Sequence, residues 1–297
     1  MEVTMNRLRQ LSALFTLVTF YIFSTAAYGE EGINCIACHT SAVNPGLHAI
    51  WQTPHGAESA NNSSSCIKCH GDSPDHLDSP KDNPPQVSFG PNHQSTIEVQ
   101  SKQCLSCHQG GDRMLWHGSA HQDEDLTCSQ CHTAHAIRDK VLNKTTQTDT
   151  CLNCHTSMEA QLRLPSRHPI QEGKTMCSDC HNAHGSSTEA SLKEPTLNNT
   201  CFRCHAEKRG PFLFEHAPVS EDCSLCHQPH GAVNDNLLNT RGPFLCQQCH
   251  SAAFHPSQIN DGSGLASRNQ NMIGKNCLNC HSKVHGTNHP SGGRLTR

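Results

Sequence analysis

Two cysteines three positions apart, followed at once by a histidine, can hold one porphyrin: the thiols form thioethers to its vinyl groups, and the histidine is carried beneath the iron as an axial ligand. This chain has that pentapeptide, Cys-x-x-Cys-His, ten times in 297 residues. The cysteine pairs are Cys35 and Cys38, Cys66 and Cys69, Cys104 and Cys107, Cys128 and Cys131, Cys151 and Cys154, Cys177 and Cys180, Cys201 and Cys204, Cys223 and Cys226, Cys246 and Cys249, and Cys277 and Cys280. The closing histidines are His39, His70, His108, His132, His155, His181, His205, His227, His250 and His281. All 20 cysteines are used, so no disulfide or free thiol has to be invoked. Zinc is the competing chemistry, since Cys-x-x-Cys is half of a zinc site. Zinc motifs vary in the residue after the second cysteine, whereas here it is histidine every time. Ten covalent haem c groups are expected.

The sixth ligand of each iron decides between electron transfer and catalysis. Fourteen of the 24 histidines remain for ten irons. One follows each motif in a recurring pattern: His55, His76, His121, His135, His168, His184, His216, His230, His255 and His285. His135, His184 and His230 lie at one fixed short offset behind their motifs. His121 is preferred to His117 because it shares with His216 a spacing of seven residues to the next motif. His55 is preferred to His48, and His76 to His93; His289 is also spare. Of the methionines, Met114, Met158, Met176 and Met272 lie beyond residue 29 and none recurs in the pattern. Ten bis-histidine irons are coordinatively saturated, with no place for a substrate. They also lack the methionine that raises potential in small cytochromes c, so a low-potential chain is expected.

The motifs come in pairs. After the first step, odd-numbered motifs start 47, 50 and 45 residues apart and even-numbered ones 49, 46 and 54 apart. The unit is a two-haem module of just under fifty residues, present five times. The first module ends in a connection from about Leu77 to Gln103 with four prolines, read as an extended strap rather than a helix.

Residues 1–29 read as an export signal: Arg7 and Arg9, an apolar run from Leu11 to Ala27, and a small-x-small site at Ala27-Tyr28-Gly29. No later segment is apolar and long enough to cross a bilayer as a helix. Residues 30–297 are expected to form one decahaem domain outside the cytoplasm. Without the signal, 20 basic residues face 25 acidic ones, which excludes a nucleic-acid partner, since that needs a basic footprint. Aromatics are 4% of the chain, and the aliphatic residues show neither helical nor strand periodicity. A polypeptide core is therefore not expected. The macrocycles supply it, wrapped by short helices and loops with almost no sheet.

The motifs together resemble the decahaem cytochromes of the MtrA/DmsE type. The likeness is densest in Cys201-Phe202-Arg203-Cys204-His205, in the segment from Arg209 to Val219 containing Gly210-Pro211-Phe212 and His216, in Cys223 to Gly231, and in Leu245 to His250. Trp116-His117-Gly118-Ser119-Ala120-His121 and the segment from His285 to Gly292 share it. The resemblance covers essentially all of residues 30–297. It implies an elongated multihaem cytochrome inserted in an outer-membrane β-barrel porin, exchanging electrons with periplasmic and extracellular cytochromes. Metal oxides or Fe(II) would be the external acceptor or donor. Two rival readings are a soluble periplasmic electron shuttle and a multihaem reductase with one five-coordinate iron.

Overall fold

A cysteine at position i, a second at i+3 and a histidine at i+4 fall on one face of a single helical turn. In the computed structural model, which describes residues 34–57, 63–90, 95–250 and 275–296, such turns are the repeating element. The export-signal segment, His93 and His255 lie outside the described residues. The amide of the motif histidine closes the turn onto the carbonyl of the first cysteine, as in His132 to Cys128 at 2.8 Å, His181 to Cys177 at 3.0 Å and His227 to Cys223 at 3.0 Å.

Odd and even motifs enter the turn differently. The first cysteines of the third, fifth and seventh motifs sit in the last turn of the helices Ile97–Leu105, Gln147–Leu152 and Leu197–Phe202. Even-numbered motifs from the fourth onward open a helix and are capped from the residue before the cysteine. Thr127 N–H donates to Gln130 Oε1 at 2.7 Å and Met176 N–H to Asp179 Oδ2 at 2.8 Å. Asp222 and Asn276 accept from Ser224 N–H and Leu278 N–H. These side chains satisfy amides that a helix start leaves unpaired.

Among the described residues no helix exceeds the nine of Ile97–Leu105, none is long and apolar enough to cross a membrane, and β-structure is limited to isolated bridges such as Ser166 with Ala232. The apolar residues buried among them are Val87, Trp116, Leu162, Ile170 and Ala232, too few for a polypeptide core. Among the described residues the fold is one of short helices and loops without sheet.

Two compact units are formed. One comprises the residues up to Gln100 together with Ala134–Ile137; the other comprises Ser101–Thr133 and the residues from Arg138 on. In the first, the strap differs from the extended segment expected. Its first part is a loop that turns back on the second motif: Val87 N–H donates to His70 O at 3.0 Å. Its end is helical from Ile97 on. The prolines stop at Pro91, Thr96 Oγ1 accepts from Val99 N–H, and the Gln100 side chain ties Gly90 to Ser95.

In the second unit the third and fourth modules repeat one loop, with a 46-residue stride, behind the even motif. Asn182 N–H bonds Ser191 O and Gln228 N–H bonds Leu237 O, both at 2.7 Å. Lys193 N–H and Asn239 N–H return to Cys180 O and Cys226 O, both at 2.9 Å. Each loop turns through two non-glycine residues in the left-handed region, Ala190 and Ser191 at φ 54° and 52°, Asn236 and Leu237 at 57° and 59°. Such residues cost about 1–3 kcal/mol each and persist where the surroundings hold them. Here they aim a carbonyl at the motif histidine.

Candidate haem sites

Among the described residues, motif histidines face a second imidazole in the eight pairs that follow, and the eight spacings are nearly equal. The ring centroids are 6.2 Å apart for His39 and His76, 6.3 Å for His70 and His135, and 5.9 Å for His155 and His121. They are 6.0 Å apart for His132 and His184, 6.3 Å for His205 and His168, and 6.0 Å for His181 and His230. They are 6.0 Å apart for His250 and His216, and 6.1 Å for His227 and His285. Two imidazoles bound to one metal from opposite sides, with bonds of about 2 Å, place their centroids about 6 Å apart. The spacing fits an iron between each pair.

The outer nitrogens agree. A carbonyl can only accept, so a histidine whose Nδ1 meets one carries its proton there and presents an Nε2 lone pair. His70 donates to Val87 O at 2.8 Å, His181 to Ala190 O at 2.7 Å, His227 to Asn236 O at 2.8 Å and His281 to Arg294 O at 2.7 Å. Among the partner rings, His76 donates to Asn83 O at 2.7 Å and His135 to Leu47 O at 3.2 Å. His121, His168 and His216 donate to Ala183 O, Pro229 O and Val284 O at 2.7, 2.8 and 3.1 Å. Such outer hydrogen bonds fix the tautomer and ring orientation of metal-binding histidines. Burial first, and then neighbouring positive charge, pushes His184, His230 and His285 below the ordinary histidine value. The shift favours the neutral form, the one that binds a metal.

The pairing crosses module boundaries. His184 lies three residues behind His181 yet faces His132 of the module before, and His230 and His285 step back to His181 and His227 in the same way. The other ligand set steps forward: His121, His168 and His216 face His155, His205 and His250 of the following module. The two sets are hydrogen-bonded to each other, since Ala183, Pro229 and Val284, the acceptors just given, immediately precede His184, His230 and His285.

The attachment thiols form two alternating contacts. Within a module the first cysteines meet: Cys35 with Cys66, Cys104 with Cys128, Cys151 with Cys177, Cys201 with Cys223, and Cys246 with Cys277. Between modules the second cysteines are neighbours: Cys131 with Cys154, Cys180 with Cys204, and Cys226 with Cys249. In the free chain the Cys104 hydrogen bond pulls the Cys128 thiol down to about 6, and that of Cys151 pulls Cys177 down to about 7. Burial, then the Cys223 charge, pushes Cys201 up to about 12. From the third motif to the tenth, each attachment site acts on the next in sequence order, by a thiol hydrogen bond within a module and by charge alone between modules.

Known proteins share the paired motif. The model of the doubled CXXCH motif matches residues 168–210 and 216–255, and that of the cytochrome c-type protein NrfB-like family matches residues 66–146. The multiheme cytochrome MtrA of Shewanella baltica (strain OS185) is 43% identical over 284 residues, spanning 93% of this chain and 84% of that protein. The chain belongs to the MtrA family of multihaem cytochromes. Its Cys-x-x-Cys-His motifs bind haem c covalently.

The spare histidines of the cytochrome are built differently. His48 uses Nε2, not Nδ1, to donate to His39 O at 2.7 Å. His289 Nδ1 accepts from Ser291 N–H at 3.2 Å and meets its hydroxyl at 2.9 Å. His117 is exposed beside the buried Trp116. His55 and His108 lie among the described residues, and each has interactions of its own.

Four further positions matter to these sites and carry no sequence signal as ligands. Asp139 Oδ2 accepts from His132 Nδ1–H at 2.6 Å, in place of a carbonyl. Glycine follows His184, His230 and His285, and a Cβ there would lie 2.2 Å from Leu115 O, 2.0 Å from Gln161 O and 2.3 Å from the Phe212 ring. The recurrent His-Gly dipeptide was a legible signal for a close approach.

Proposed function

We propose that the cytochrome carries ten bis-histidine haems in one domain of residues 30–297 and conducts electrons between periplasmic donors and an extracellular acceptor or donor through a β-barrel partner. The paired imidazoles carry this reading. Each motif histidine that faces a second ring leaves its iron no open position, so the site suits electron transfer rather than binding of a substrate. Bound haem supplies a one-electron Fe(III)/Fe(II) couple.

The chain's own residues do three things for that couple. The paired imidazoles would hold the iron in either oxidation state. Carbonyl-bound Nδ1 protons keep the rings oriented, so little has to move when charge changes. Neighbouring attachment cysteines bring successive sites together in sequence order, which supports transfer from neighbour to neighbour. His255 completes the proposed ligand set with His55.

The polar chain is compatible with a barrel sheath. Irregular backbone with exposed polar groups cannot face lipid, whereas a large barrel has a polar lumen. Gentle solubilisation of outer membranes, followed by native electrophoresis and haem staining, tests this. Co-migration of the haem band with a β-barrel protein is expected. Recovery of the haem wholly in the osmotic-shock fraction would make the cytochrome a soluble shuttle, and high-spin haem in quantity would replace the saturated chain by a reductase.

A further inference from the structure

Of the even-numbered motif histidines, four donate Nδ1–H to a neutral carbonyl: His70, His181, His227 and His281. His132 alone among them meets a carboxylate, Asp139, at 2.6 Å. The reason is local. Asp139 caps the helical turn Lys140–Leu142, with Oδ1 accepting from Val141 N–H at 3.4 Å, which leaves Oδ2 for the imidazole. The third and fourth modules have Thr188 and Asn234 at the same capping position. Their side chains donate instead to Leu192 O at 2.9 Å and Leu238 O at 3.0 Å, and the left-handed residues behind them provide the carbonyl. The Asp139 side chain is 13% exposed, so solvent screens it little. Its charge also reaches the attachment thiol Cys131.

We propose that Asp139 tunes the fourth haem site, making it the most reducing of the even-numbered sites. This rests on the bis-histidine reading above. A carboxylate on the outer N–H strengthens electron donation from the imidazole Nε2 and adds negative charge beside the iron, and both effects favour Fe(III) over Fe(II). Reduction adds one electron to the iron held between His132 and His184, arriving from a neighbouring haem. Both axial bonds are kept, and the Nδ1 proton stays on His132. On the opposite side, Asp112 and Arg113 both act on His184 with opposite sign. Asp112 is also paired with Lys193 at 3.7 Å, so this side carries no comparable unpaired anion.

The test is a spectroelectrochemical titration of holoprotein, native and Asp139→Asn, with haem count and low-temperature electron paramagnetic resonance in parallel. Asparagine keeps an acceptor oxygen and removes the charge. One low-potential component is expected to move upward by a tenfold or larger change in its Fe(III)/Fe(II) equilibrium, about 59 mV per tenfold for one electron. The other components stay in place, and all haem stays low-spin. Asp139→Thr, which installs the residue of the third module, gives the same shift. Superimposable titrations, or a small shift spread over many components, would overturn the proposal. Loss of the fourth haem from both variants would overturn it too, by showing that Asp139 serves attachment. High-spin haem already present in the native protein would sink the ligation scheme itself, a separate failure.

Discussion

Replacing His184 by alanine distinguishes the crossed ligation from the arrangement that proximity in sequence suggests. His184 is three residues from His181, so a short-range reading assigns it to the haem on Cys177 and Cys180. The structure instead sets its ring 6.0 Å from that of His132, with the planes 10° apart, and gives His181 to His230. Among ten motifs, the variant then has one iron without a sixth ligand. Roughly a tenth of the haem should become high-spin when ferric and bind carbon monoxide when ferrous, one equivalent per chain against none in the native protein. To locate that iron, His184→Ala is combined with removal of one attachment site. With Cys128→Ser and Cys131→Ser the carbon monoxide equivalent disappears; with Cys177→Ser and Cys180→Ser it persists. The reverse pattern would refute the crossed ligation, and no carbon monoxide binding in the single variant would refute His184 as a ligand.

Three further outcomes follow from the same geometry. Gly231→Ala brings a methyl group to 2.0 Å from Gln161 O, between His230 and the Ser166–Ala232 bridge; it should cost about 1–3 kcal/mol as overpacking and give partial high-spin character at the haems of His181 and His205, seen by optical spectra and thermal melts. The pairs of His39, His132, His181, His227 and His250 have planes within 10–24° and those of His70, His155 and His205 are tilted by 50–64°. Near-parallel ligand planes split the iron d orbitals more, so paramagnetic resonance should show a majority of rhombic low-spin signals and a minority of strongly anisotropic ones; a uniform spectrum would contradict the ring angles. His48→Ala removes a hydrogen bond to His39 O, worth about 1 kcal/mol, and should leave all haem low-spin.

The attachment sites were legible because they are local. Cys, Cys and His at i, i+3 and i+4 share a helical face whatever the rest of the chain does. The distal histidines were legible as a set through their recurrence. Their partners were not, because the pairing depends on how one module lies against the next. Periodicity hides the answer: a ligand displaced by one repeat leaves the same pattern as one that stays in its own. The carbonyls that hold His181 and His227 come from left-handed turns at Ala190 and Asn236, and neither Ala190-Ser191 nor Asn236-Leu237 contains the glycine that would announce such a turn. Asp139 reads in the sequence as one more surface acid, and only the helical cap beside it brings the carboxylate to the imidazole. The strap departs from an extended segment at its end because its prolines stop at Pro91 and do not govern the residues that form the helix Ile97–Leu105.

Crossed ligation also explains how so polar a chain holds together. Five buried apolar residues among those described contribute little by burial. An iron bound by His132 and His184, or by His181 and His230, as proposed, would instead join positions about fifty residues apart. Treated as a cross-link, each such closure removes loop entropy worth about 4 kcal/mol from the unfolded chain. The backward-stepping links overlap, since His181 and His184 lie in one short segment but belong to different irons. The forward-stepping set interleaves with them through the Ala183, Pro229 and Val284 carbonyls. Displacing one module therefore strains the ligands of two neighbours. The two-haem module is a unit of sequence repetition, but under this ligation it would not be a unit of stability: the third or fourth module, cut at its boundaries, would leave each of its two irons with a single histidine.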